Sequence, residues 1–251
     1  MWLVLSPSSD ASAIWAWQGL GQLGLAPLEF VSAEDLASAL TWQYRLEAGT
    51  TCLQVRLADG RVLNSAQIRG SLNRLHMPSP LTLQSAAPSD REYAQSEFFA
   101  FYLSWLHSLP GVMINRPRPL GLSGPWLHLS EWMMRAARAG LRTAPYRQSG
   151  RDSANEIVMP ERQSFGSAHR VAHHLIAFGG EIFGGCVPAE VAAACGRLAK
   201  DVDAAMLGIT LFVDEFDRWT LAGATPSPDL ALGGMPLLRR MAQILLSGGL
   251  P

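Results

Sequence analysis

Two asparagine–arginine pairs are the residues in this chain best suited to hold a ligand: Asn73-Arg74, and Asn115-Arg116, which continues into Pro117-Arg118. A guanidinium grips a carboxylate or a phosphate through two parallel N–H bonds. Both pairs follow an expected strand or turn, where α/β folds place ligand-contacting groups. The same arginines can instead pair with a backbone carbonyl or an acid of the chain itself, and spacing does not choose between the two. Asp214, Glu215 and Asp217 follow the apolar run 208–213. Carboxylates at a strand end can hold magnesium, with Asp214 and Glu215 as the candidate ligands. A solvated acidic turn is the simpler reading, since the partner carboxylate and amide are missing.

Other tempting patterns carry less. His169, His173 and His174 have no carboxylate or cysteine at ligand spacing and read as partly buried polar residues. Residues 19–24 match G-x-G-x-x-G in form, but a dinucleotide loop must follow the first strand directly, and here a helical stretch intervenes. A glycine-rich helix end explains it better. The glycines of 179–185 lack the Gly-Lys-Ser/Thr ending of a phosphate loop and suit a β-turn. No residue set identifies a catalytic centre.

The elements that must position these groups alternate. An apolar strand over 1–6 is followed by a helix over 11–20 that Ser9 or Asp10 can cap, then by a strand over 28–31. Ser32 and Asp35 have capping-box spacing and open a helix over 33–40. Strand 51–57, the turn Asp59-Gly60 and strand 61–64 read as a hairpin, and the following stretch as a short helix or turn leading into an irregular segment. Helical spacing marks 90–108 and 127–139, with a brief strand at 112–114 between them. Residues 151–168 are polar and patternless, which predicts an exposed, irregular segment. Beyond it come strands 171–178 and 181–183 around Gly179-Gly180, an alanine-rich helix over 189–206, a strand over 208–213 and a closing helix over 237–246. This is the α/β signature.

Composition narrows the setting. The 251 residues fit one large domain or two interlocked small ones. Apolar residues make up 48% and charged residues only 16%, which favours a large core and an apolar contact with another protein. Of the eight tryptophans, most should be core, with the remainder available to a contact surface. A net charge of −1 gives no nucleic-acid footprint. The three cysteines form no CxxC pair, the apolar start lacks a basic flank, and no run reaches the length of a membrane span. The expectation is a cytoplasmic chain with reduced thiols and neither membrane nor nucleic acid as partner.

The order of the pieces resembles ATP-grasp proteins of the RimK and glutathione-synthetase-like kind, including ligases that modify ribosomal peptides. DGRVLNSAQIRGSLNRL and DREYAQSEFFAFYLSWLHSLPGVMINRPRPLGL are similar to the hairpin, long helix and Asn-Arg-Pro strand of the small domain that opens those proteins. HLSEWMMRAARAGLRTAPYRQS resembles their first ATP-grasp helix and strand, HRVAHHLIAFGGEIFGG their strand, Gly-Gly turn and strand, and the stretch 203–245 their closing region. The resemblance implies an α/β fold: a three-layer pre-ATP-grasp-like domain over 1–120, packed on a reduced ATP-grasp-like sheet-plus-helix unit over 121–251. Residues 151–168 would replace the family's lid. It also implies what is missing. The family's phosphate-holding lysines are reduced to a single lysine, Lys200, and its metal-binding Glu and Asn fall on Gly223 and Thr225.

Two functions follow as expectations. One is a non-catalytic ATP-grasp-like protein, a binding or assembly partner in peptide modification or small-molecule biosynthesis, needing no cofactor and working as a homodimer or with a partner protein. The other is an ATP- and magnesium-dependent carboxylate–amine ligase that uses arginines in place of lysines.

Overall fold

The computed structural model describes residues 1–47, 50–79, 83, 87–144 and 171–249. Strands β1 (Trp2–Ser6), β2 (Leu28–Ser32), β6 (Gly70–Asn73) and β7 (Val112–Ile114) form a parallel sheet in the order β2-β1-β6-β7. Parallel strands are buried on both faces and read as continuous apolar runs. β1 shows the consequence. Trp2 and Val4 face one core while Leu3 and Leu5 face another.

Helices α1 (Ala11–Gln22) and α6 (Gly234–Ser247) cover the first face of this sheet. Asp10 caps α1 by accepting the Ala13 N–H at 3.0 Å. The glycine-rich stretch belongs to this helix and not to a nucleotide loop: a Cβ on Gly19 would stand 2.4 Å from Leu238 Cδ1, so its absence lets α6 close on α1. The opposite face packs on α3 (Arg91–Ser108) and on a three-stranded antiparallel meander, β3 (Thr41–Glu47), β4 (Thr50–Arg56) and β5 (Val62–Asn64). Short helix α2 (Ala33–Ala37) opens with the expected Ser32–Asp35 capping box.

A second sheet runs β10-β9-β11-β12-β8, built from β8 (Arg142–Thr143), β9 (Val171–Phe178), β10 (Glu181–Phe183), β11 (Met206–Val213) and β12 (Trp219–Thr225). All its pairings are antiparallel except β12 with β8. Helices α4 (Leu129–Arg138) and α5 (Ala189–Asp201) cover one face. On the other face Ile176, Phe178 and Met206 enter the core made by α1, α6 and the first sheet, so the two sheets are packed together through α6. The result is a three-layer α/β unit with a sheet-plus-helix unit packed on it.

The structure corrects several element boundaries. The helix expected over 189–206 ends at Asp201, because Val202 caps it and Asp203 takes a left-handed φ of 50° that turns the chain into β11. Strands β3, β6 and β12 were not anticipated. The tight turn at Gly179-Gly180 has positive φ at both residues, 57° and 82°, as a two-residue hairpin with right-handed strand twist requires. All three cysteines are unpaired, and burial pushes the Cys195 thiol up to about 11. Among the described residues no helix is long and apolar enough to cross a membrane. The segment 151–168 and the expectations placed on it lie outside the described residues, as does His169.

Candidate functional site

The carboxyl ends of β1, β6 and β7 gather the polar residues that the sequence singled out, and the structure divides them. Asn73 closes β6 with its side chain fully buried. Its Nδ2 donates to the Asn115 carbonyl at 3.0 Å and to the Leu122 carbonyl at 2.6 Å, and its Oδ1 accepts the Leu75 N–H at 3.2 Å. Arg74 Nε donates to Asp10 Oδ2 at 2.7 Å and its Nη1 to the Pro228 carbonyl at 2.8 Å. The side chains of this pair are 6% and 14% exposed, so the charges meet largely out of water. Asn115 holds a left-handed φ of 60°. Its Nδ2 donates to the Pro226 carbonyl at 2.6 Å and its Oδ1 accepts the Met206 N–H at 2.9 Å.

These three residues therefore form a seam. Each bonds backbone of a distant segment, and Arg74 and Asn115 both reach into the second unit. Asp10 feels the seam most directly. Burial alone would raise its carboxyl pKa, but the Arg74 hydrogen bond and charge, with the Ala13 N–H and the Ser6 hydroxyl, outweigh burial and hold it below the ordinary value of 3.8.

Arg116 and Arg118 point elsewhere. Arg116 is exposed and donates from Nη2 to the Gly111 carbonyl at 3.1 Å, while Arg118 pairs with Asp203. Both line an open cleft of about 520 Å³ between the segment after β7, the β9–β10 turn and the last turns of α5. Lys200, the single lysine, lines the same cleft, as do Glu181 and Asp203. The sequence marked Lys200 as unusual but gave it no site. Its place here follows from α5 running back across the sheet toward β7, a long-range packing that no local pattern encodes.

The acidic candidates sit at the tip of the β11–β12 hairpin. Asp214 accepts the N–H groups of Phe216 at 3.0 Å and Arg218 at 3.1 Å, and Arg218 Nε donates to its Oδ2 at 2.7 Å. Its carboxylate thus closes the turn, and Glu215 beside it is exposed. Among the described residues no group of three or more His, Cys, Asp and Glu could hold a metal ion. His173 and His174 point to opposite faces of β9. The His173 ring lies 4.7 Å from that of Trp219, and His174 Nδ1 is 3.1 Å from Thr210 Oγ1.

Thr210 also matters for the positions that the resemblance assigns to metal binding. The β11–β12 register sets Thr210 opposite Gly223 and Gly208 opposite Thr225. A Cβ on Gly223 would meet nothing within 4 Å. No aspartate or glutamate occurs within either strand. The residues on this stretch do not fit a magnesium–nucleotide site.

Half-buried His76, two residues past Arg74, escaped the sequence reading. Its Nδ1 is 3.4 Å from Ser123 Oγ and its ring stands edge-on to Trp126 at 4.9 Å. Burial first, then the Arg74 charge, lowers its pKa and favours the neutral imidazole.

No protein-family model matches the chain, and no curated protein matches it. Solved structures do. The macrocyclase MdnC bound with precursor peptide MdnA, from Microcystis aeruginosa MRC, superposes with a TM-score of 0.70 at 13% identity, over 98% of this chain and 100% of that one. A RiPP-associated ATP-grasp ligase of Chryseobacterium gregarium, in complex with ADP and a leader and core peptide, gives 0.65 at 8% identity, over 99% and 97%. The ATP-grasp ligase PsnB, complexed with minimal precursor, Mg and ADP, gives 0.63 at 11% identity, over 98% and 97%. Identities this low speak for architecture alone, and the architecture of this chain is that of the ATP-grasp ligases.

Proposed function

We propose that this chain is a non-catalytic protein of ATP-grasp fold that serves as a binding or assembly partner in the modification of a peptide. One observation carries the reading. Where the resemblance expects a metal-holding glutamate and asparagine, the paired strands carry Gly223 and Thr225, and neither β11 nor β12 supplies a carboxylate. Magnesium needs hard oxygen ligands, at least one or two of them carboxylates. Phosphoryl transfer rests almost wholly on such positioning and charge neutralisation. The only lysine, Lys200, lies on α5 and lines the cleft, to which neither β11 nor β12 contributes a residue. That structures of similar fold were crystallised with precursor peptides supports a peptide as the bound species. A second copy or another protein would cover the exposed Val171, Phe212 and Phe216 at the open end of the second sheet.

The test is thermal unfolding with and without magnesium–ATP. A ligand that binds the native state raises its stability in proportion to RT ln(1 + [L]/Kd). The expected result is an unchanged midpoint at millimolar nucleotide. A saturable rise would put the ATP-dependent carboxylate–amine ligase in its place, with Arg116 and Arg118 as the first cations to mutate. Light scattering on the same sample reports whether the chain is a homodimer.

A further inference from the structure

We infer that the cleft between the β7 exit, the β9–β10 turn and α5 binds an extended, acidic peptide segment. Its volume, about 520 Å³, lies within the range of real ligand sites, roughly 300–1,000 Å³. The charges around it do not cancel. Arg118 is paired with Asp203, and Glu181 is paired with Arg240. The Arg116 side chain donates to one backbone carbonyl, and among the described residues the Lys200 side chain has no hydrogen bond or ion pair. Among the described residues, two cations thus remain at the rim without a carboxylate of their own, in a chain whose net charge is −1.

The floor of the cleft is low. Gly196 stands inside the 13-residue helix α5, where glycine costs about 1 kcal/mol relative to alanine. Gly19 has a close neighbour, since a Cβ there would meet Leu238. Gly196 has none: a Cβ there would meet nothing within 4 Å, and the residue lines the cleft. A side chain at this position would project into the cleft, so the glycine keeps its floor low. Ala199 lines the same stretch, so a main chain can come close to the helix here while its side chains reach the rim. Small walls below two free cations suit an extended backbone bearing carboxylates better than a bulky or neutral ligand. That the carboxylates belong to a peptide rests on the function proposed above; the preference for anions does not.

Fluorescence anisotropy with a labelled short peptide alternating glutamate and alanine tests this, against the same peptide with glutamine for glutamate. The glutamate peptide should bind at least about tenfold more tightly, a difference of about 1.4 kcal/mol. Lys200→Glu and Arg116→Glu should each cost a further tenfold or so, and added salt should weaken binding. Gly196→Leu should abolish binding without lowering the unfolding midpoint, since it fills the cleft and favours the helix. Equal binding of the glutamine peptide, unchanged binding in Gly196→Leu and Lys200→Glu, or no saturation by about 1 mM peptide would overturn the inference. Effective competition by free glutamate at concentrations equal to the peptide would also overturn it, by indicating a single-amino-acid site. Should Gly196→Leu fail to fold, the exposed Lys200→Glu still decides. A magnesium–ATP shift would remove the non-catalytic reading while leaving this result intact, so the two can fail separately.

Discussion

Two Asn-Arg pairs leave neighbouring strands of one sheet, and they end in opposite surroundings. After β6, both Asn73 and Arg74 are buried and spend their donors on backbone carbonyls and on Asp10. After β7, Asn115 is buried in the same way, but Arg116 turns out to solvent beside a cleft. The residue types and their spacing are the same, so the difference lies in what the second unit brings up against each. The segment around Pro226 and Pro228 takes hydrogen bonds from Arg74 and Asn115, while Asn73 bonds the Asn115 and Leu122 carbonyls. Among the described residues nothing comparable covers Arg116. A buried arginine with its partners inside the chain is a fastener, whereas the exposed Arg116 carries the recognition role only under the inference drawn above.

The largest expected effect comes from breaking the fastener. Arg74→Met removes one partner of a buried ion pair and leaves Asp10 without its cation and the Pro228 carbonyl without this donor. Such breaks cost about 3–5 kcal/mol. Chemical denaturation should show that loss, and a change below about 1 kcal/mol would mean that the seam is not closed in solution. Asn115→Ala comes next. It strands the Met206 N–H and the Pro226 carbonyl and places alanine at a φ that alanine dislikes, together about 2–4 kcal/mol. Both variants should also raise hydrogen exchange at Met206, whose N–H donates to Asn115 Oδ1.

The seam has a pH signature of known sign. The folded-state pKa of Asp10 is depressed below its ordinary 3.8, so its ionised form favours the fold. That contribution is fully present above about pH 4 and is lost as pH falls through the lower folded-state value. In Arg74→Met the chief source of the depression is gone. The acid-induced drop in stability below about pH 4 should therefore be smaller in the variant than in the wild type. Equal drops in both would assign the acid sensitivity to other carboxylates.

Much of the fold was legible because local and global signals agree. Strand β1, the Ser32–Asp35 capping box, the Gly179-Gly180 hairpin and the long helix α3 each announce themselves through apolar runs, caps or turn residues. Strand β6, Gly-Ser-Leu-Asn, does not. It has little β-propensity and exists because β1 and β7 flank it on both sides. The end of α5 was misjudged for a related reason: Val202–Met206 remains compatible with helix by composition, and the stop depends on Asp203 turning the chain into sheet pairing. The candidate site was legible as residue types but not as roles. Asn73, Arg74, Asn115 and Arg116 look alike in one dimension, and only their long-range partners separate them.

The smallest expected effect is on stability at the cleft, and it is informative for being small. Arg116→Ala and Lys200→Ala remove exposed side chains whose only described contact is one bond to the Gly111 carbonyl. Surface substitutions of this kind usually stay within about 0.5 kcal/mol. If these two cations were structural, like Arg74, their removal would destabilise the fold by several-fold more than that. If they serve recognition, the fold should be indifferent to them while binding of an acidic partner is not. Denaturant midpoints for Arg74→Met, Arg116→Ala and Lys200→Ala, measured side by side, place each residue on one side of that division. A large loss for Lys200→Ala would move the cleft into the same class as the seam, and the contrast between the two Asn-Arg pairs would then reflect exposure alone and not a difference of role.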